Sequence, residues 1–561
     1  MLRRIPMILL PLVFVLGAVS PAQTSKGMVV AQNVVASQVG ADVLSRGGNA
    51  VDAAVATAFA LAVVHPSAGN LGGGGFMIVR RPDGSVTSFD FREVAPAAAT
   101  PDMFLDASGN YDPALHHGSY TAVGVPGSVA GLWLAHRRCG KRPWRELVAP
   151  AIALARDGFP LTKELARQFQ VLRGAFSRHP SSVKVFYRPD GSLYSAGDMF
   201  RQPDLARTLE RIQSDGAAGF YRGRTADLIV AQMQRGGGLI THEDLAAYRA
   251  VERKPLEGVY RGRTIVSMAP PSSGGATLIA MLNMLECFPV EKDPLRRIHL
   301  MTEVMRRGYA ERARRLGDPD FNDPDMTAPF LDKEFARGLV RDLSMSKASV
   351  SRLDGLGWAA PEGENTTHFS VIDGELGAVS MTYTLENSYG SRIVVDGAGF
   401  LLNDEMGDFN PALGLTTERG LIGTRPNLVA PGKRMLSSMT PTIVLDSERR
   451  PVLLVGSPGG RTIINTVFEI VTNVIDLRLD IGRAVALGRF HHQWFPDRIR
   501  MEERLARPEI VRGLEELGHR VDVVKSQGIA ACIQVSYRRG RTVFQAGVDP
   551  RYPDAGAAKA Q

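Results

Sequence analysis

Alternation and helical periodicity place strands near both ends of the chain and helices between them. Val29-Val30 opens a short strand. Ala36–Leu44 and Asn49–Val63 carry alanine-rich helical patterns separated by Gly47-Gly48. Asn49 is placed to cap the second, because its side chain can accept a free N–H of the first turn. Phe76–Val79, the turn Pro82-Asp83-Gly84 and Val86–Phe91 read as a hairpin. Residues from about 125 to 345 read mainly as helices, such as Gly127–Arg137 and Ala276–Leu285, with no fixed-period repeat. A second hairpin-rich region begins at Thr366: Phe369–Ile372, the turn Asp373-Gly374, then Ala378–Thr384. Pro441–Leu445 pairs with Val452–Val455, and Arg461–Leu477 is a long apolar-periodic helix. Cys532–Tyr537, the turn Arg539-Gly540 and Thr542–Ala546 make the last hairpin. The pattern predicts stacked sheets with helices outside, and by itself establishes only a mixed α and β fold.

Composition changes this picture little. The 561 residues are 44% hydrophobic and 22% charged, enough for a large core. A net charge of +8 invites a nucleic-acid reading, but the 66 basic and 58 acidic residues are interspersed and no recognition motif accompanies them, so no nucleic-acid partner is expected. The densest basic run, Arg306-Arg307 through Arg312, Arg314 and Arg315, reads as a solvated helix face. Arg3-Arg4, the apolar run Met7–Val19 and the small residues Ser20-Pro21-Ala22 predict a signal peptide over residues 1–22 and export to the periplasm or medium. An uncleaved anchor is the alternative, although Pro11 interrupts a run already short for a membrane span. Cys139, Cys287 and Cys532 have no metal spacing. They read as small buried hydrophobes, with one disulfide pair as the alternative in an oxidising compartment.

The chemistry concentrates at Asn365-Thr366-Thr367-His368. A threonine that starts a strand in mid-chain is ordinarily just a β-branched residue in a favourable place. If the bond before Thr366 is cut, however, that residue carries both a hydroxyl nucleophile and an α-amine. An α-amine has an ordinary pKa of about 7.7–8.0 and can take the hydroxyl's proton near neutral pH. Strand alternation puts His368 on the same side as Thr366, where packing and hydrogen bonding are its expected role.

Further segments keep company with this one in a fixed order. Upstream stand Gly69-Asn70-Leu71-Gly72-Gly73-Gly74-Gly75 and Asp90-Phe91-Arg92-Glu93. Downstream come Thr382-Tyr383-Thr384-Leu385, Gly399 to Asn403, Asp404-Glu405-Met406-Gly407-Asp408-Phe409, and Lys433 to Thr442. Gly456-Ser457-Pro458-Gly459-Gly460, Phe490-His491-His492-Gln493-Trp494 and Asp549-Pro550-Arg551 complete the set. Over the whole mature chain the sequence resembles the γ-glutamyltranspeptidase family of N-terminal-nucleophile hydrolases.

The resemblance implies a four-layer αββα sandwich. It implies a precursor that cuts itself between Asn365 and Thr366 into a large subunit, residues 23–365, and a small subunit, residues 366–561, intertwined as one domain and remaining together as a heterodimer. Thr366 is the implied nucleophile, Thr384 orients it, and Gly459 and Gly460 supply the oxyanion hole. Arg92, Ser437 and Ser438 are implied to take the substrate carboxylate, and Glu386, Glu405 and Asp408 its ammonium. The implied substrates are glutathione and related γ-glutamyl compounds, with water, amino acids or dipeptides as acceptors; no metal or other cofactor is expected, since no ligand spacing stands in the sequence. Many members carry Asn at the place of Glu386 and Gln at that of Glu405. Many bacterial members also have a gating tyrosine where Leu415–Leu421 has Arg419. The rivals are an acylase for glutaryl or cephalosporin side chains, a poly-γ-glutamate depolymerase, and an exported binding protein that never matures. Other signals carry less. The glycines at 72–75 lack the Gly-Lys-Ser/Thr ending of a phosphate loop and read as a tight turn and close packing. The adjacent His491 and His492 make a poor metal pair, and Asp318–Asp325 lacks the glycine and glutamate of a calcium loop.

Overall fold

The computed structural model describes residues 26–353, 366–538 and 540–561. The expected leader, Asn365 and Arg539 lie outside the described residues.

The strands that build the two main sheets are β1 (Gly27–Ala31), β2 (Gly74–Arg80), β3 (Val86–Phe91), β4 (Val251–Arg253), β5 (Leu256–Tyr260), β6 (Arg263–Ser267), β7 (Thr366–Asp373), β8 (Ala378–Thr384), β9 (Thr442–Leu445), β10 (Pro451–Val455), β11 (Ala531–Arg538), β12 (Arg541–Val548) and β13 (Gly556–Ala560). One sheet has seven strands in the order β13-β1-β7-β8-β2-β3-β4. The other has six, in the order β12-β11-β10-β9-β6-β5. Every neighbouring pair is antiparallel.

Side-chain alternation shows how the sheets stack. Met28, Val30, Phe76, Ile78 and Ile372 of the first sheet share one apolar cluster with Val266, Ile443, Leu454 and Ile533 of the second. Their strand neighbours Val29, Ala31, Met77, Val79, Phe369 and Val371 turn the other way, onto α1 (Val34–Ser45) and α2 (Ala50–Val64). On the second sheet Ile265, Val444, Leu453 and Val455 turn outward onto α3 (Gly274–Glu286), α4 (Pro294–Arg315) and α5 (Thr462–Ile475). Both sheets are therefore apolar on both faces, and the order is helix, sheet, sheet, helix. This is the αββα sandwich that the resemblance implied.

Several local expectations hold. Asn49 caps α2 with a full capping box to Asp52. The hairpins β2–β3, β7–β8, β9–β10 and β11–β12 form at the expected places. Other features depart from the sequence reading. The mainly helical stretch also holds β4, β5 and β6, with a β5–β6 turn in which Arg261 and Gly262 both take positive φ. β13 closes the sheet against β1, although Gly556-Ala557-Ala558-Lys559-Ala560 contains no strong strand former. Arg306 and Arg312 are buried rather than solvated, whereas Arg314 and Arg315 are partly exposed. Of the cysteines, Cys532 is buried, Cys139 half-buried and Cys287 exposed, and all three are free thiols.

Candidate active site

Thr366 is the first residue of β7, and Thr384 is the last of β8. The hairpin register puts them directly opposite each other. Both point into the space between the sheets, on the same side as His368, Thr382 and Ser370. Their hydroxyl oxygens are 3.4 Å apart. Thr384 Oγ1 also accepts the backbone N–H of Glu386 at 2.8 Å. His368 is fully buried, with Nδ1 2.8 Å from Thr382 Oγ1 and Nε2 3.2 Å from Ser370 Oγ. Burial lowers its pKa to about 3, so the ring stays neutral and structural.

The glycine-rich turn before β2 holds the backbone of Thr384. Asn70 Nδ2 donates to the Thr384 carbonyl at 2.8 Å, and Asn70 Oδ1 accepts from the Gly73 N–H at 3.0 Å. A Cβ on Gly73 would lie 1.9 Å from that same carbonyl oxygen. The run is thus a close-packing device beside the site, as its sequence indicated.

A narrow cleft of about 10 Å³ opens in front of the two threonines. Its lining brings together Thr366, Thr384, Glu386, Glu405, Asp408, Ser437, Ser438 and Gly460 from the expected set, along with Met439 and Ile463. Gly459 and Gly460 take positive φ (128° and 54°) and lead into α5. A Cβ on Gly459 would meet Thr462 Oγ1 at 2.4 Å, so only glycine fits this turn without displacement.

Arg92, at 0% exposure, lies one layer behind the cleft. Its guanidinium pairs with Glu405 and Asp408, approaches Glu93 at 3.5 Å, and donates to the carbonyls of Met435 (3.2 Å) and Leu436 (3.3 Å). Burial would discharge it, but Glu405, Asp408 and Glu93 outweigh burial and hold it cationic. One cation faces several buried carboxyls, so some of them keep their protons. Burial raises Glu93 and Glu405 to about 8 against the pull of Arg92. Burial, followed by the charges of Asp404, Asp408 and Glu405, pushes Glu386 well above the usual carboxylate range. His117, which burial lowers to about 4, sits with Nδ1 3.1 Å from Glu386 Oε1. Glu386 also has φ +78°, a left-handed conformation unusual for a residue with a long side chain.

The strand-like segment 436–440 forms the remaining wall. The Ser437 carbonyl accepts both the backbone N–H (2.7 Å) and the hydroxyl (2.6 Å) of Ser273. Ser272 Oγ donates to the Met439 carbonyl at 2.6 Å. Arg312, on α4, donates Nη2–H to Ser438 Oγ (3.0 Å) and Nε–H to Ser273 Oγ (2.8 Å). The sequence reading missed Arg312. Its signal was helical spacing, since it follows Met305 by seven residues and Tyr309 by three on the buried stripe of α4. Arg419 is exposed, and the neighbouring Gly420 carbonyl accepts from Arg461 Nη1 at 3.2 Å.

Among the described residues, His299, Glu303 and His519 bring one potential metal-ligand atom each within 4.8 Å of the others. These groups are already engaged: His299 with His519 (2.8 Å) and the Ser344 carbonyl (2.7 Å), and Glu303 with Arg307 (2.7 Å). His491 contacts Asn465 and Gln493 while His492 contacts Asp497, so the adjacent pair diverges.

The sequence profile of the family described as Gamma-glutamyltranspeptidase matches residues 36–559. The chain belongs to this family. γ-Glutamyltranspeptidases are N-terminal-nucleophile hydrolases, and a threonine opening a strand at the edge of an inter-sheet cleft fits that class. The glutathione hydrolase proenzyme of Escherichia coli (strain K12) is 44% identical over 520 residues, covering 92% of this chain and 89% of that protein. The glutathione hydrolase proenzyme of Bacillus subtilis (strain 168) is 36% identical over 531 residues, covering 90% and 87%. Among solved structures, a Helicobacter pylori γ-glutamyltranspeptidase chain superposes with a TM-score of 0.57 at 42% identity, over 59% of this chain and 95% of that one. A cephalosporin acylase from Bacillus halodurans superposes with a TM-score of 0.82 over 97% of this chain and 98% of that one, at 24% identity, which speaks for the fold alone. Among the described residues no helix is long and apolar enough to cross a membrane.

Proposed function

We propose that the chain is an exported, self-processing γ-glutamyltransferase and glutathione hydrolase with Thr366 as its nucleophile. In the precursor the Thr366 hydroxyl attacks the carbonyl carbon of Asn365, the amide becomes an ester, and water hydrolyses it. Residues 23–365 and 366–561 then remain together as large and small subunits, and Thr366 gains an α-amine. The leader, residues 1–22, directs the chain to the periplasm or medium.

In turnover the α-amine takes the hydroxyl proton as Oγ1 attacks the γ-carbonyl of the donor. Backbone N–H groups at Gly459-Gly460, ahead of α5, stabilise the oxyanion. Collapse expels the amine product, which leaves with the proton from the α-ammonium, and a γ-glutamyl ester stays on Thr366. Water, or the amine of an amino acid or dipeptide, then attacks the ester and restores the hydroxyl. Arg92, Ser437 and Ser438 receive the donor's α-carboxylate, and Glu386, Glu405 and Asp408 its ammonium. Arg92 and the carboxyls neutralise one another. A zwitterion that inserts its own two charges exchanges with these internal pairs rather than adding unbalanced charge. Glutaryl and cephalosporin side chains without an α-ammonium leave the acidic wall uncompensated, which disfavours the acylase reading.

The observation that carries this reading is the pair Thr366–Thr384, with oxygens 3.4 Å apart, at the mouth of a cleft walled by carboxyls and serines. The test is the intact mass of purified protein beside Thr366→Ala, with release of p-nitroaniline from γ-glutamyl-p-nitroanilide. Two fragments, the smaller starting at Thr366 and absent from the variant, together with release only by the cut protein, are expected. An uncut wild-type chain that still released the product would refute it.

A further inference from the structure

Ser457 and the terminal Asp549-Pro550-Arg551 take no part in the chemistry proposed above, yet the structure links them to the oxyanion glycines. Ser457 is fully buried. Its hydroxyl donates to the Pro458 carbonyl at 2.7 Å and accepts the backbone N–H of Ile529 at 3.1 Å. A trans peptide is planar, with its C=O and N–H pointing in opposite directions. The Pro458 carbonyl shares its peptide plane with the Gly459 N–H, so a grip on the one aims the other. The grip matters because Gly459, at φ +128°, has no Cβ to stop that plane from rotating. The Ile529 N–H is held in turn. It lies in segment 527–530, where Asp549 Oδ2 accepts the Ala530 N–H and Glu502 Oε1 the Gln527 N–H, each at 2.8 Å. Arg489 donates to the Gln527 carbonyl at 3.0 Å and to Asp549 Oδ2 at 2.6 Å, and Arg551 Nε donates to Glu502 Oε1 at 2.7 Å. Gly528 takes φ +66°, and a Cβ there would lie 2.7 Å from Thr466 Oγ1 and 3.0 Å from Ser457 Oγ. Glycine thus lets the segment come this close to Ser457.

We infer that Ser457 is a positioning residue for the oxyanion hole: it aims the Gly459 N–H by fixing the Pro458–Gly459 peptide plane, and Asp549 clamps the 527–530 segment that holds Ser457. The inference rests on the oxyanion role proposed above for Gly459 and Gly460. Ser457 touches no reacting atom and acts through the backbone ahead of it. Its effect therefore falls on the tetrahedral stage, when an oxyanion exists, and not on the binding of a planar ground state.

The test compares Ser457→Ala, Ser457→Cys, Asp549→Asn and the Ser457→Ala/Asp549→Asn double variant as matured enzymes. Three quantities are read: kcat for hydrolysis of γ-glutamyl-p-nitroanilide, inhibition by glutamate, and inhibition by the boronic acid analogue of glutamate. The boronate becomes tetrahedral on Thr366 Oγ1 and sets an oxygen in the oxyanion position, whereas glutamate binds with a planar carboxylate. Removing an oxyanion donor outright costs about 100- to 1000-fold in kcat, and a donor present but unaimed is expected to cost about 10- to 100-fold in Ser457→Ala. The inhibition constant of the boronate should rise by a similar factor, while that of glutamate stays within about threefold of wild type. Ser457→Cys, which keeps a weak donor, should fall between. Asp549→Asn should lower kcat by about 3- to 10-fold, since a neutral amide weakens the charge-assisted bonds of the clamp. The double variant should resemble Ser457→Ala, because both changes act through one segment. A Ser457→Ala kcat within about threefold of wild type, a boronate constant that does not follow kcat, equal weakening of boronate and glutamate, or fully multiplicative effects would each overturn the inference. If Ser457→Ala stays uncut, Ser457→Cys carries the comparison, and wild-type constants there overturn it too. Wild-type enzyme that releases nothing, or that the boronate does not inhibit, would sink the parent reading, whereas an active wild type with unaltered Ser457→Ala sinks only this one.

Discussion

Replacing Thr384 by valine removes one oxygen and little else. Both residues are β-branched and favour a strand, so β8 keeps its backbone preference and its packing volume. The lost oxygen accepts the Glu386 N–H at 2.8 Å and lies 3.4 Å from the Thr366 hydroxyl. Thr384 is 2% exposed and Glu386 3%, so water does not readily replace the missing acceptor. A buried N–H left without its partner costs about 1–3 kcal/mol. That N–H belongs to a residue whose left-handed backbone already costs about 1–3 kcal/mol and is held only by its surroundings. Segment 385–387 is therefore expected to relax, carrying the Glu386 carboxyl away from the cleft while Thr366 loses its neighbour. If about 2 kcal/mol of this falls on the transition state, the rate drops by about 30-fold. Under the proposed mechanism self-cleavage and turnover should both slow, because both would use the same hydroxyl. The assay is a mass-spectrometric time course of precursor loss, followed by initial rates on the matured fraction, with Thr384→Ser as the control that keeps the oxygen. A Thr384→Val protein that matures and turns over within about threefold of wild type would refute the reasoning, because a factor of three is worth only ~0.65 kcal/mol.

Glu386→Asn supplies a neutral side chain that tolerates positive φ, and is expected to raise stability at pH 8 by about 1–2 kcal/mol in chemical denaturation. Under the proposed ammonium role of Glu386, it should also flatten the pH dependence of KM, because burial raises the Glu386 carboxyl and an incoming ammonium would have to displace its proton, so that donor affinity would rise with pH. Glu93→Gln tests the second raised carboxyl: stability linked to protonated Glu93 is fully present below about 4.5 and lost as pH rises through about 8. The variant should therefore match wild type at pH 4.5 and exceed it by about 3–5 kcal/mol at pH 8.5, as denaturation midpoints at the two pH values would reveal. Gly73→Ala places a methyl group 1.9 Å from the Thr384 carbonyl oxygen and should abolish maturation, whereas Gly338→Ala, in a helix with nothing near its Cβ, should mature normally and gain about 0.5–1 kcal/mol.

Sequence and structure part company where a residue's role is set by a partner distant along the chain. The hairpin β7–β8 was legible because its alternation and turn are local, and the structure's register then sets Thr384 opposite Thr366, as the resemblance implied. β13 was not legible, since its glycine and alanines become a strand only by lying against β1. The β5–β6 hairpin was legible in principle. Its alternation flanks Arg261-Gly262, but the helical patterns on either side masked five-residue strands. The acidic wall shows a subtler limit. Ordered motifs pointed to Glu386, Glu405 and Asp408 as one group, yet nothing local showed that Arg92 would pair with two of them, or that Glu93 would be buried beside it. Arg312 is the sharpest case. A run of arginines on a helix ordinarily faces water, because burying a guanidinium demands partners for its donors. Those partners are Ser273, before α3, and Ser438, in the segment 436–440, residues 39 and 126 positions away. Only the stripe Met305–Tyr309–Arg312–Leu316 hinted at burial, and periodicity reports that a side chain is inside without saying what it holds.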